Sequence, residues 1–208
     1  MAMAETAATE EKLDFKRILP VFIIVLVDLL GLTIILPVLP LYGVSFGADA
    51  VVIGLLSTAY PLFQLIGGPL LGTLSDRYGR RPVLIISQAG TLAALLMLGF
   101  AEALVVLFLS RILDGFTGGN IVTAQAAITD MTTPRTRTQG LGLIGAAFGL
   151  GFTLGPAIAG IALALTNNDY RAPALAAAAF SFVALLLTIF WFKETLPPEK
   201  RGQRDQRK

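Results

Sequence analysis

Six long apolar stretches divide this chain, at about 18–42, 51–74, 82–101, 104–130, 140–166 and 172–192, with short polar connections between them. A helix that rises 1.5 Å per residue needs roughly 20 apolar residues to cross about 30 Å of hydrocarbon. Each stretch meets that length, so each predicts a membrane-spanning helix. The short connections make consecutive helices antiparallel neighbours. No window shows the alternation of apolar and polar positions that an outer-membrane barrel requires. The expected fold is therefore an all-α membrane protein with six transmembrane helices. The bundle spans 18–192, with a polar tail at 1–17 and a charged, proline-bearing tail at 193–208. The first tail is polar and acidic at its start, unlike the basic leader of a cleaved signal peptide.

Composition agrees with a lipid solvent. Apolar residues make up 55% of the chain and charged residues only 14%, where a soluble domain carries about a quarter charged. Cysteine and histidine are both absent. Thiolate nucleophiles, imidazole bases, disulfides and the usual zinc sites are excluded together. No catalytic, metal or cofactor site is expected. The segment Gly115-Phe116-Thr117-Gly118-Gly119 falls within an apolar helix, not in the strand–loop–helix setting of a phosphate site, so an enzyme is not the expectation.

The net charge of +2 does not point to nucleic acid, because the basic residues cluster beside the apolar stretches. Fourteen of the sixteen Lys and Arg fall in the two tails, the second connection and the fourth connection. Arg171 lies on the opposite side and Arg111 lies inside a span. Basic residues mark the cytoplasmic face. The expected location is thus integral to the plasma (inner) membrane, with both termini cytoplasmic.

The second connection reads Gly72-Thr73-Leu74-Ser75-Asp76-Arg77-Tyr78-Gly79-Arg80-Arg81, four charges and two glycines in ten residues. Gly68 and Gly72 give a small-residue face for close approach of another helix. Asp76 is placed to accept backbone N–H groups at a helix N-terminus, where the macrodipole favours an anion. Arg80 is within reach of Asp76 or of Asp130, at the end of the fourth span. Such a cluster makes a cytoplasmic latch. A solvated loop that only sets topology has the same composition.

Three charges lie deep inside the apolar stretches: Asp28, Arg111 and Asp114. Each costs at least about 2.5–3.5 kcal/mol at the helix centre and is a functional candidate for that reason. Asp28 is about ten residues, roughly 15 Å, into the first helix, and Asp114 lies about as deep from the opposite side. Arg111 precedes Asp114 by three positions, close enough to pair with it. With no histidine available, a carboxylate is the group left to carry a proton. A static ion pair that fixes helix packing uses the same residues.

On the fourth helix, Arg111, Gly115, Gly118, Val122, Gln125 and Thr129 form one small and polar stripe, with Asn120 about 180° away as an interhelix hydrogen bond. Gln64 and Gln125 are candidate cavity-lining residues. The fifth helix carries Gly142, Gly145, Gly149, Gly151, Gly155, Pro156 and Gly160, and the second carries Gly67-Gly68-Pro69 with Gly72. Glycine–proline breaks in helices two and five, with charges in helices one and four, predict two inverted three-helix repeats.

The ten-residue motif matches, position for position, the signature G-x-x-x-D-R-x-G-R-R/K of major facilitator superfamily transporters. Over 28–198 the chain resembles the N-terminal half of such a protein, in the drug:proton antiporter branch that includes the tetracycline efflux pumps. Asp28, Gly31 and Pro37-Val38-Leu39-Pro40 are similar to that branch's first-helix motif. Arg111 and Gly115 match its fourth-helix motif, and the resemblance implies a part for Arg111 in proton transfer. Gly142, Gly151, Gly155, Pro156 and Gly160 match its antiporter motif. Asp114 stands where many members have glutamine, and Ala159 replaces a glycine. The resemblance implies half of a proton-coupled efflux carrier, with protons and an amphiphilic small molecule as its ligands and no cofactor. Members have twelve helices, so the expected partner is a second six-helix half, a second copy or another membrane complex. A half recruited as a non-transporting subunit is the alternative.

Overall fold

The computed structural model describes residues 13–202. Seven helices follow in order: α1 (Phe15–Ser45), α2 (Ala50–Tyr78), α3 (Arg80–Gly99), α4 (Leu104–Thr117), α5 (Asn120–Met131), α6 (Arg137–Leu165) and α7 (Arg171–Phe190). With α4 and α5 taken as one span, six helical segments are long and apolar enough to cross a membrane. Most of the 1–17 tail and the end of the 193–208 tail lie outside the described residues.

Local chemistry sets the ends. Asp14 and Asp49 cap α1 and α2, their carboxylates accepting the backbone N–H of Arg17 at 3.3 Å and of Val52 at 2.9 Å, which satisfies donors that a helix start leaves open. The charged signature is mostly helix, not loop. α2 runs on through Ser75, Asp76 and Arg77, and only Gly79, at φ 109°, leaves helical geometry before α3 begins.

The fourth span departs from the expected single helix. It stops at Thr117 and restarts at Asn120, with Gly118 and Gly119 between. Two adjacent glycines hold the backbone to a helix weakly, and this bend re-aims every side chain beyond it.

The packing has the inverted two-fold pattern. Helix α1 lies on α6 and α7, as the fourth span lies on α2 and α3, and α3 packs against α7. Both interfaces close over a glycine: a Cβ on Gly67 would strike the Phe116 carbonyl, and one on Gly155 would strike the Thr33 hydroxyl. Helices approaching this closely gain dispersion contacts that lipid cannot supply. The Thr33 hydroxyl adds a 2.9 Å hydrogen bond to the Gly151 carbonyl.

Two apolar clusters make the core. One gathers Ile34, Leu56, Leu98, Leu107 and Ala177; the other gathers Ile18, Val25, Leu84, Ile128 and Phe192. A polar layer separates them, with Gln88, Arg111, Asp114, Asn120, Thr123 and Ser181 all buried. Helices α2 and α6 are the least covered, and both present rows of exposed leucine and isoleucine, with Phe152 added on α6.

Candidate functional site

The polar layer holds the candidate proton site. A small cavity of about 20 Å³, room for about one water, is lined by Asp28 and Leu29 from α1, Tyr60 from α2, Thr91 from α3, Asp114 from α4 and Asn120 from α5. Asp28 and Asp114, 86 positions apart in the chain, thus line one small cavity. Arg111 sits one turn away and is not among the lining residues. Its Nη1 pairs with Asp114 Oδ2 at 3.1 Å, with both side chains almost fully buried. The Nε and Nη2 of Arg111 have no acceptor among the described residues.

Asp28 is held differently. Asn120 Nδ2 donates to both of its carboxylate oxygens, at 3.0 and 2.9 Å. The interhelix bond expected of Asn120 therefore exists, and its partner is a candidate proton carrier. The expected position of Asn120, opposite Arg111, does not hold. A continuous wheel places it there, but the Gly118–Gly119 bend turns it into the same interior as Asp114. The polar stripe breaks for the same reason: Arg111, Gly115 and Gly118 are buried, whereas Val122 and Gln125 are exposed.

Gln64 and Gln125, expected in a substrate cavity whose other wall a second half would supply, lie outside the wall of this small one. Gln64 Nε2 donates to the Tyr60 hydroxyl at 2.8 Å and to the Gly118 carbonyl at 2.9 Å, bracing the bend. Gln125 is exposed on α5. Tyr60 and Thr91, which carry no signal in the sequence, do line it.

The antiporter-motif residues divide between two faces of α6. Gly151 and Gly155 meet Leu29 and Thr33 of α1, and Pro156 lies within the helix beside them. Gly142 and Gly160 have open space where a side chain would be.

At the end of the bundle where the described residues begin and end, Arg80 gathers the cluster expected of a latch. Its Nη1 reaches Asp76 Oδ1 at 2.6 Å and Ser75 Oγ at 2.6 Å, while its Nε donates to Asp130 Oδ2 at 2.9 Å. Arg80 pairs with both aspartates at once, and its side chain is 7% exposed. Gly72 packs beside Val122. Arg77 points outward, 5.5 Å above the Tyr78 ring.

The carboxylate that caps α3 is not Asp76. The N–H groups of Arg80 and Arg81 donate to the two oxygens of Glu194, at 2.9 and 3.2 Å, from the segment after α7. The same carboxylate accepts the N–H of Thr195 and of Leu196, both at 3.0 Å. Gly79 makes room for it, since a Cβ there would strike the carboxyl group. Arg81 returns the contact, its Nη2 donating to the Ile189 carbonyl at 2.5 Å near the end of α7. From sequence alone this stretch is only a charged, proline-bearing tail. Glu194→Gln is expected to cost about 1–2 kcal/mol of stability, because a charged acceptor at a helix N-terminus becomes neutral. Thermal unfolding in detergent reads this directly. Arg201→Gln, whose guanidinium lies 3.9 Å from the same carboxylate, is expected to change little, as partly exposed pairs do.

A family model described as Major Facilitator Superfamily matches residues 21–208. The chain belongs to that superfamily. Among curated relatives, the tetracycline resistance protein, class B, of Escherichia coli is 40% identical over 176 residues, covering 83% of this chain and 43% of the relative. Human major facilitator superfamily domain-containing protein 10 is 33% identical over 211 residues, covering 88% of this chain and 45% of the relative. A crystal structure of the human organic anion transporter MFSD10 (TETRAN) superposes with a TM-score of 0.80 at 28% identity, over 93% of this chain and 53% of that one. A peptide transporter, POT, shares the fold at a TM-score of 0.75 and 20% identity, over 84% of this chain and 37% of that one. The chain therefore spans under half the length of these curated relatives. The superfamily membership and the six apolar helices make it an integral membrane protein.

Proposed function

We propose that this chain forms one half of a proton-coupled antiporter that exports amphiphilic small molecules by alternating access. The observation that carries this reading is the small cavity shared by the half-buried Asp28 and the buried Asp114 in mid-bundle. Carboxylates this deep in a membrane bundle are costly and mark ion pathways. Each has a removable partner, Asn120 for Asp28 and Arg111 for Asp114. A helix movement that shifts either partner changes the proton affinity of its carboxylate. That is the coupling a carrier needs.

The second half packs on α2 and α6, the two least covered helices, with open glycines such as Gly142 and Gly160 on the α6 face. The Arg80 cluster, braced by Glu194, latches one end of the assembly. The bundle proper is 18–192, with tails on either side. Both termini face the cytoplasm of the plasma (inner) membrane, as the basic residues at that end favour. The names of the relatives, tetracycline resistance and organic anion transport, support small-molecule transport and give no support to an enzyme. No observation favours a non-transporting subunit.

The test is reconstitution of the chain with a second six-helix half in proteoliposomes. A pH gradient is expected to drive accumulation of a tetracycline-like amphiphile, and a protonophore to abolish it. Accumulation indifferent to the gradient contradicts the reading.

A further inference from the structure

A groove of about 400 Å³ opens on the same end of the bundle as the latch, between the start of α1, the end of α5 and the end of α7. Three cations line it: Lys16, Arg17 and Lys193. All three are exposed, and none forms an ion pair among the described residues. Glu194 is the acid at the rim, its oxygens bonded to the α3 amides, and its charge offsets one of the three cations. The groove therefore keeps a net positive charge. Apart from Thr195, its remaining wall is apolar, formed by Pro20, Met131, Trp191 and Phe192. Trp191 is 42% exposed and follows the last turn of α7, the interfacial depth that tryptophan favours.

We propose that this groove binds the headgroup phosphate of an anionic phospholipid from the adjacent leaflet, with the upper acyl chain against Trp191, Pro20 and Met131. Basic pockets between helix ends capture anionic headgroups, because unpaired cations lie at the depth of the phosphates. A soluble anion satisfies the cations but leaves the apolar wall in water. A neutral lipid covers the wall but brings no net charge to Lys16, Arg17 and Lys193. An anionic lipid does both.

Trp191 is the only tryptophan in the 208-residue chain, so its fluorescence reports this groove alone. The chain is reconstituted in vesicles of phosphatidylglycerol and phosphatidylcholine at one fixed ratio, with bromine quenchers placed on one lipid or on the other. Each cation beside an anionic headgroup strengthens its hold by roughly fivefold, so phosphatidylglycerol is expected to be enriched at Trp191 by about tenfold or more. The combined variant Lys16→Gln, Arg17→Gln and Lys193→Gln removes the enrichment. A control with Arg135→Gln and Lys200→Gln, exposed cations that do not line the groove, keeps it.

Equal quenching by the two brominated lipids in the parent chain overturns the proposal. So does enrichment that survives the triple variant, or that the control loses equally, since either assigns it to general surface charge. Inorganic phosphate, compared with chloride at equal ionic strength, leaves the enrichment unchanged if the ligand is lipid. Displacement by phosphate assigns the groove to a soluble anion instead. Circular dichroism on every variant confirms that the helices are retained.

Discussion

Arg111→Met is expected to destabilise the bundle by about 3–5 kcal/mol, the usual cost of stripping one partner from a buried ion pair. The two side chains are 3% and 4% exposed and 3.1 Å apart. Without the guanidinium, Asp114 keeps a desolvated carboxylate with no countercharge beside it. Adding Asp114→Leu removes that charge too, and apolar replacement of a whole buried pair is often neutral or better. Most of the lost stability is expected to return in the double variant, read by thermal or denaturant unfolding in detergent. The same variant separates the two meanings of the pair. A static brace, once replaced by apolar packing, leaves transport intact. A working proton site does not, so the folded double variant is expected to lose gradient-driven accumulation.

Asp28→Asn has the largest expected effect on function with the least on structure. Asparagine keeps the size of the aspartate, and its carbonyl oxygen still accepts the Asn120 amide that now donates to both Asp28 oxygens. Only the titrating proton is removed. Gradient-driven accumulation is expected to fall to background while substrate binding, read by equilibrium dialysis, survives. Loss of binding together with transport would instead make Asp28 a substrate ligand.

Much of this arrangement is legible in the sequence. Apolar stretches separated by short turns, and the basic residues beside them, give six helices because only a helix satisfies its backbone in lipid. The intramembrane charges announce themselves, since Asp28, Arg111 and Asp114 are the charged residues deep inside apolar runs. Their sharing of a cavity follows from the inverted pairing of the first and fourth spans.

What stayed hidden had no local signal. Gly118-Gly119 looks like any small-residue pair in a membrane helix, where glycine is common. Whether it bends depends on Leu71, packed against Gly119, and on Gln64, bonded to the Gly118 carbonyl. Asn120 is misplaced on a helical wheel for that reason alone. Glu194 sits in a tail of charges and prolines, and its partner amides are 113 and 114 positions away. Tyr60 and Thr91 are neutral residues on apolar helices, and only the packing aims them at the carboxylates.

In a coupled carrier, substrate binding expels the proton held at these mid-bundle carboxylates, and that coupling can be seen without a membrane. Add the amphiphile to the assembled protein in weakly buffered detergent and follow pH with an indicator dye. Proton release is expected from the parent, less from Asp28→Asn or Asp114→Asn, and none when both are changed. Substrate that binds the parent with no release, or release unchanged in the double variant, contradicts it.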